Sequence, residues 1–147
     1  MKSKYVVEKI YNFFNKKKIC YSLIFSGSAG FHFRIPYEIM KTLRIPKKRQ
    51  RDVYKEIAEK IAKRLKIPFD KGYGICWTSY IKHKIVSIPY SIHAKTDLVR
   101  LPLTDEQFQN FNKDDYTIDN VLRNVKIMNR GLLIREGDIK NLLKLRK

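Results

Sequence analysis

Two short stretches of this sequence carry the residue types from which a ligand site is built. The first is Ser26-Gly27-Ser28-Ala29-Gly30-Phe31-His32. The second is Pro89-Tyr90-Ser91-Ile92-His93-Ala94-Lys95-Thr96. Together they supply several hydroxyls, two imidazoles and an ammonium, with glycines whose backbone can approach a ligand closely. Such groups, converging on one spot, can hold a phosphate through charge-assisted hydrogen bonds and backbone N–H groups. Each part also has a plainer reading. Lone histidines are more often structural than functional, and small-residue turns are common.

The elements around the first stretch read as a hairpin. Ile19 to Phe25 is an apolar run of strand length, and Phe31, Phe33 and Ile35 alternate with His32 and Arg34. That period of two marks a strand with one buried face, and Ser26 to Gly30 reads as the turn between strands. The alternation puts His32 and Arg34 on one side, off the apolar face. An ordinary hairpin with two solvated polar side chains would show the same pattern.

Helices are expected on either side. Ser3 can cap a first helix, with Val6, Ile10, Phe13 and Phe14 at helical spacing and Lys16 to Lys18 closing it. Pro36 starts a short helical segment, Tyr37 to Leu43. Pro46 opens a longer helix to about Lys66, with Val53, Ile57, Ile61 and Leu65 repeating on its core face. That helix begins with Lys47, Lys48, Arg49 and Arg51, positive charge at the positive end of the dipole. Contact with a nucleic-acid backbone would explain it, and so would a solvated cap.

Further along, Phe69 to Gly74 is a loop, Ser79 to Val86 leans to helix, and Leu98 to Leu103 reads as a strand with Pro102 near its end or on an edge. Thr104 caps a short helix, Asp105 to Phe111, which Asn112 to Asp115 breaks. Asp119 to Ile127 reads as helix, Asn129-Arg130-Gly131 as a turn, Leu132 to Ile134 as a short strand or apolar plug, and Asp138 to Leu145 as a terminal helix. No repeat, low-complexity segment or linker breaks residues 1–147, so one domain is expected.

The balance of 32 basic against 14 acidic residues, a formal charge of +18, predicts attraction to polyanions. No apolar run reaches membrane-spanning length and no signal-peptide core is present, so a cytoplasmic protein is expected, with nucleic acid rather than a membrane as its polyanion. A lysine-rich thermophile would also be basic. Cys20 and Cys76 stand far apart without a CxxC partner, which argues for two buried thiols and against zinc.

With both motifs in view, the chain resembles the small catalytic subunit of archaeal and eukaryotic DNA primases. That family carries Ser-Gly-x-Arg-Gly-Phe/Val-His at a strand turn, and later Pro-x-Ser-x-His-x-Lys-Thr. The resemblance spans residues 3–123, leaving 124–147 as a C-terminal helical extension. It implies an α/β (α+β) fold, a primase-type mixed sheet flanked by helices, shortened at its N-terminus. It implies that Ser26, Gly27, Gly30, His32, Ser91, His93 and Lys95 hold the triphosphate of an incoming nucleotide for RNA primer synthesis in DNA replication. Single-stranded DNA or an RNA–DNA hybrid would be the other ligand.

The departures from the family bear on catalysis. The family holds magnesium or manganese with three aspartates, two of them in an Asp-x-Asp strand ahead of the first helix. No Asp-x-Asp occurs in this sequence, and Ile75 stands near the place of the third aspartate, with Asp70 the nearest carboxylate candidate. Ala29 replaces the arginine of the first motif, Val86 and Ser87 replace basic residues before the second, and the zinc cysteines are missing. Phosphoryl transfer without metal-binding carboxylates is hard to support. The expectation is therefore a domain that binds nucleotide, gains its metal only when another primase polypeptide completes the site, and makes no primers alone. The alternative is a non-catalytic nucleic-acid-binding subunit of a primase or replication complex.

Overall fold

A computed structural model describes residues 2–35, 41, 44–69, 74–75, 88–124, 137–138 and 140–146. The fold is α+β: helices with a small two-stranded antiparallel sheet. Contacts divide it into two compact units. One comprises Met1–Cys20, Pro36–Val86 and Glu136–Lys147; the other comprises Tyr21–Ile35 and Ser87–Arg135.

In the first unit, helix α1 (Lys2–Lys16) buries Val6, Val7, Ile10, Tyr11, Phe13 and Phe14, the stripe that helical spacing requires. The second unit opens with the hairpin, strands β1 (Ser22–Phe25) and β2 (Phe31–Arg34). Helix α2 (Lys47–Leu65) belongs to the first unit and buries Val53, Ile57, Ala58, Ile61 and Ala62. Pro46 takes its N-cap position without a side-chain cap, and no acidic residue stands in its first turn. At its other end Lys66 adopts φ 51°. There the Ile67 amide reaches Ala62 O at 3.0 Å and the Lys66 amide reaches Lys63 O at 3.2 Å. This is a Schellman closure with lysine where glycine is usual. Lys9 Nζ donates to Leu65 O at 3.4 Å, and the Arg64 guanidinium lies 5.7 Å from the Phe13 ring, tying α1 to α2.

In the second unit the hairpin register pairs Leu23 with Phe33 and Phe25 with Phe31 on one face, and Ser22 with Arg34 and Ile24 with His32 on the other. The first face carries aromatic packing. Phe25 lies 5.0 Å from both Phe111 and Tyr116, and Phe31 meets Phe108 and Phe111 edge-on at 5.6 and 4.9 Å. Such tilted and edge-on pairs add about 0.5–1.5 kcal/mol each beyond their buried area. Behind them Leu101, Leu103, Phe108 and Val121 are fully buried.

The strand expected over Leu98 to Leu103 forms as bridges rather than as one strand. Leu98 and Val99 pair with Thr117 and Ile92, whereas Pro102 sits opposite Ile24. Proline has no N–H to give β1, so its neighbours make the bonds: Phe25 N–H to Leu101 O at 2.9 Å and Leu103 N–H to Leu23 O at 2.8 Å. The segment changes partner midway, and Arg100 stands at the change.

Helix α3 (Asp105–Gln109) ends two residues earlier than its pattern predicts. Its capping box is complete: Gln107 N–H donates to Thr104 Oγ1 at 3.1 Å and Thr104 N–H to Gln107 Oε1 at 2.9 Å. A 3₁₀ turn (Lys113–Tyr116) leads to helix α4 (Ile118–Arg123). In the first unit, helix α5 (Lys140–Leu143) and a 3₁₀ turn (Lys144–Arg146) follow the Asp138 amide, which donates to Lys18 O at 2.8 Å.

Cys20 is buried, and burial raises its thiol pKa. The expected helix at 79–86, the turn and plug at 129–134, Asp70, Cys76 and all of the segment 37–43 except Lys41 lie outside the described residues. No helix among the described residues is long and apolar enough to cross a membrane.

Tyr116 gives the fold a pH signature. Burial first, and the Asp115 carboxylate second, push its phenol well above the tyrosine range. In the unfolded chain a tyrosine loses its proton near about pH 10, whereas folded Tyr116 keeps it. The folded state then binds more protons than the unfolded one, so stability falls as pH rises above about 10. Urea unfolding on either side of that pH should show the loss, and Tyr116→Phe should flatten it.

Candidate functional site

The turn between β1 and β2 is built on Ser26. Its N–H donates to Gly30 O at 3.0 Å, and its hydroxyl accepts the Ser28 and Gly30 amides at 3.3 and 3.2 Å. Those amides, expected from the sequence to face a ligand, are thus engaged inside the turn. The Ser26 hydroxyl proton has no acceptor among the described residues.

Gly27 adopts φ +76° and is buried against the second motif. A Cβ here would meet His93 Cβ at 2.8 Å and both Arg100 Cγ and Leu98 O at 3.0 Å. Only glycine permits this approach: it tolerates the left-handed backbone and leaves room for the neighbouring loop.

That loop runs from Ser91 to Arg100. His93 O accepts the Thr96 and Asp97 amides at 3.1 and 3.0 Å, and His93 N–H donates to Leu98 O at 2.9 Å. The Thr96 hydroxyl donates to Gly27 O, a bond that crosses from one motif to the other. Thr96 Oγ1 also lies 3.2 Å from His93 Nδ1. The Lys95 N–H donates to the same nitrogen at 3.4 Å. His93 Nε2 has no partner among the described residues.

Arg100 fastens the two motifs from behind. Its Nε donates to Ser26 O at 2.9 Å, and its Nη1 donates to Ser91 Oγ at 2.9 Å and Ile92 O at 3.1 Å. Ser91 Oγ donates in turn to Ile88 O at 2.6 Å. Ser91 is thus occupied as a strut between Arg100 and its own turn.

The structure brings together Ser26, Gly27, Ser91 and His93 from the sequence-derived set, with Gly30 in the same turn and Lys95 exposed on the same loop. His32 is exposed on β2, on the face of Ile24 and Arg34. The sequence reading missed two members, Thr96 and Arg100. Thr96 stood inside the quoted motif, and Arg100 was the one charge in the apolar run Leu98 to Leu103. A lone arginine in such a run is a usable signal, because burying part of a guanidinium requires acceptors.

Lys47, Lys48, Arg49 and Arg51 are exposed at the start of α2, in the first unit, with Arg51 Nε 3.9 Å from Asp52. Among the described residues no cluster of three or more histidine, cysteine or acidic side chains could hold a metal ion. Asp97, beside the second motif, and Asp114 and Asp115 are exposed. Magnesium and manganese need several oxygen ligands, and one aspartate beside cationic side chains does not fit them. No family model, curated protein or solved structure matches this chain.

Proposed function

We propose that the second unit is the nucleotide-holding part of a primase small-subunit-like domain. It binds a nucleoside triphosphate for RNA primer synthesis in DNA replication, and another primase polypeptide supplies the metal-binding aspartates. One observation carries this reading. Two motifs that resemble the family's nucleotide-binding motifs, distant in sequence, interlock through Gly27, Thr96 and Arg100. In that arrangement His93 offers Nε2, Lys95 its ammonium and Ser26 its hydroxyl proton.

The described residues bind and orient the phosphates; among them no cluster of three or more histidine, cysteine or acidic side chains could hold a metal for the transfer step. Magnesium or manganese, held by the partner's carboxylates, would neutralise the charge that develops in the transition state. A cytoplasmic replication complex is the setting this reading implies.

Calorimetric titration with ATP, with and without magnesium, tests it. The wild type should bind, and His93→Ala and Lys95→Ala should each weaken binding about 10- to 100-fold, the value of a charged hydrogen bond. Absence of binding by the wild type would refute the reading.

A second reading has its own observation. The start of α2 presents four exposed basic side chains without an acidic residue in the first turn or a side-chain cap. This suits a non-catalytic subunit that grips single-stranded DNA or an RNA–DNA hybrid by its backbone. Its affinity would fall on neutralising Lys47, Lys48 and Arg49 and would ignore His93.

A further inference from the structure

Lysines gather at the end of α1. Lys16, Lys17 and Lys18 are exposed where the helix stops. Lys18 adopts φ 49°, and the Ile19 amide closes the helix on Phe14 O at 2.9 Å. The Lys18 carbonyl then receives the C-terminal segment. It accepts the Asp138 amide at 2.8 Å and Asn141 Nδ2 at 3.3 Å. Gly137 lies so close that a Cβ there would stand 2.7 Å from Lys18 O, the Ile19 carbonyl carbon and Cys20 N. All three are backbone atoms, so only glycine allows this approach.

The contact brings two more lysines to the same place. Lys144 Nζ donates to Asn141 Oδ1 at 2.9 Å, so one amide side chain links that ammonium to the Lys18 carbonyl. Lys140, exposed next to Asn141, starts α5. Segments 16–20 and 137–144 thus hold five lysines and one carboxylate, Asp138. That carboxylate is engaged by the Lys140 amide, at 2.8 Å. None of the five lysines makes an ion pair among the described residues. Elsewhere on α1 and α2 the surface is mixed: Lys4, Lys55 and Lys60 each stand within 4.0 Å of a glutamate one turn away. A lysine or two at a helix C-terminus suits the dipole. Five, two of them from another segment, exceed that need.

The surroundings of the cluster select its partner. An anionic membrane asks for exposed apolar side chains beside the lysines. Among the described residues of these two segments no large apolar side chain is exposed. The segments also contain no aromatic residue on which a base could stack. What they offer is charge for phosphates. We infer that the end of α1 and the C-terminal segment form one grip on the phosphate backbone of a nucleic acid, indifferent to its base sequence. The grip uses none of Lys47 to Arg51 and does not rest on the nucleotide-binding reading.

Fluorescence anisotropy with labelled oligothymidylate, over a series of salt concentrations, tests it. Three charge-matched variants are compared with the wild type: Lys16→Gln/Lys17→Gln/Lys18→Gln, Lys47→Gln/Lys48→Gln/Arg49→Gln and Lys55→Gln/Lys60→Gln/Lys63→Gln. Melting curves confirm that each is folded. The first should weaken binding roughly 10- to 100-fold near about 0.1 M salt and flatten the slope of log affinity against log salt by about 2, at about 0.7 per phosphate contact. Lys140→Gln/Lys144→Gln should flatten it by about 1.4. The third triple should leave the slope unchanged. Equal losses from all three triples would mean that net charge alone attracts the strand, and would refute the grip. So would a loss confined to the Lys47 triple. A loss that the Lys140 and Lys144 variant does not share would refute the joining of the two segments. No binding by the wild type, or tighter binding to phosphatidylserine vesicles than to the oligonucleotide, also refutes the inference. His93→Ala should bind oligothymidylate as the wild type does, so this grip and the nucleotide site stand or fall separately.

Discussion

Gly27→Ala should destabilise the protein by about 2–4 kcal/mol and abolish ATP binding. Two costs add. The first is conformational: alanine at φ +76° sits in the region that a Cβ disfavours. The second is steric, and here it decides the outcome. The new methyl would lie 2.8 Å from His93 Cβ and 3.0 Å from the Leu98 carbonyl oxygen. Neither neighbour is the free end of a flexible side chain, so the turn or the loop must move. Either movement breaks the Thr96 bond to Gly27 O and takes His93 away from the turn. Gly30→Ala is the control. A Cβ at Gly30 would meet only Ser26 Oγ, at 3.9 Å, so it should cost far less. Thermal or urea unfolding of the two variants measures the difference.

Arg100→Ala is the second large effect, about 2 kcal/mol in stability with a near-complete loss of nucleotide affinity. The guanidinium serves three acceptors on two segments: Ser26 O, Ser91 Oγ and Ile92 O. Each hydrogen bond to a charged group is worth about 1.5–3 kcal/mol when buried. The side chain is half-exposed, so water replaces part of that sum. Arg100→Lys should rescue little, because one ammonium cannot span acceptors that a planar fork reaches together. Hydrogen exchange separates this local effect from global unfolding. The amides of His93, Thr96 and Asp97 should exchange faster in Arg100→Ala, while those in the core of α2 change little.

What the sequence disclosed follows from the range of the interactions. The hairpin was legible because Phe31, Phe33 and Ile35 alternate with polar residues, and α2 because Val53, Ile57 and Ile61 recur each turn. Both signals are local. Thr104 was legible as a cap for the same reason. The strand at Leu98 to Leu103 was legible as apolar chain, but its change of partner at Arg100 depends on β1 and on Ile92, which sequence pattern does not specify. The two motifs were legible as candidates through their residue types. Their joining depends on the Thr96 bond to Gly27 O, across the whole span between the motifs. Arg100 was legible as the one charge in an apolar run, but its acceptors, Ser26 O, Ser91 Oγ and Ile92 O, were not.

The most direct test of the central claim, that the two motifs form one phosphate-holding site, is the ATP titration followed at each backbone amide by nuclear magnetic resonance. The account predicts shifts concentrated in Ser26 to His32 and Ser91 to Arg100, saturating together at one affinity and needing about 10- to 100-fold more ATP in His93→Ala. Shifts confined to the start of α2 around Lys47 to Arg51, or movement of one motif without the other, would contradict it.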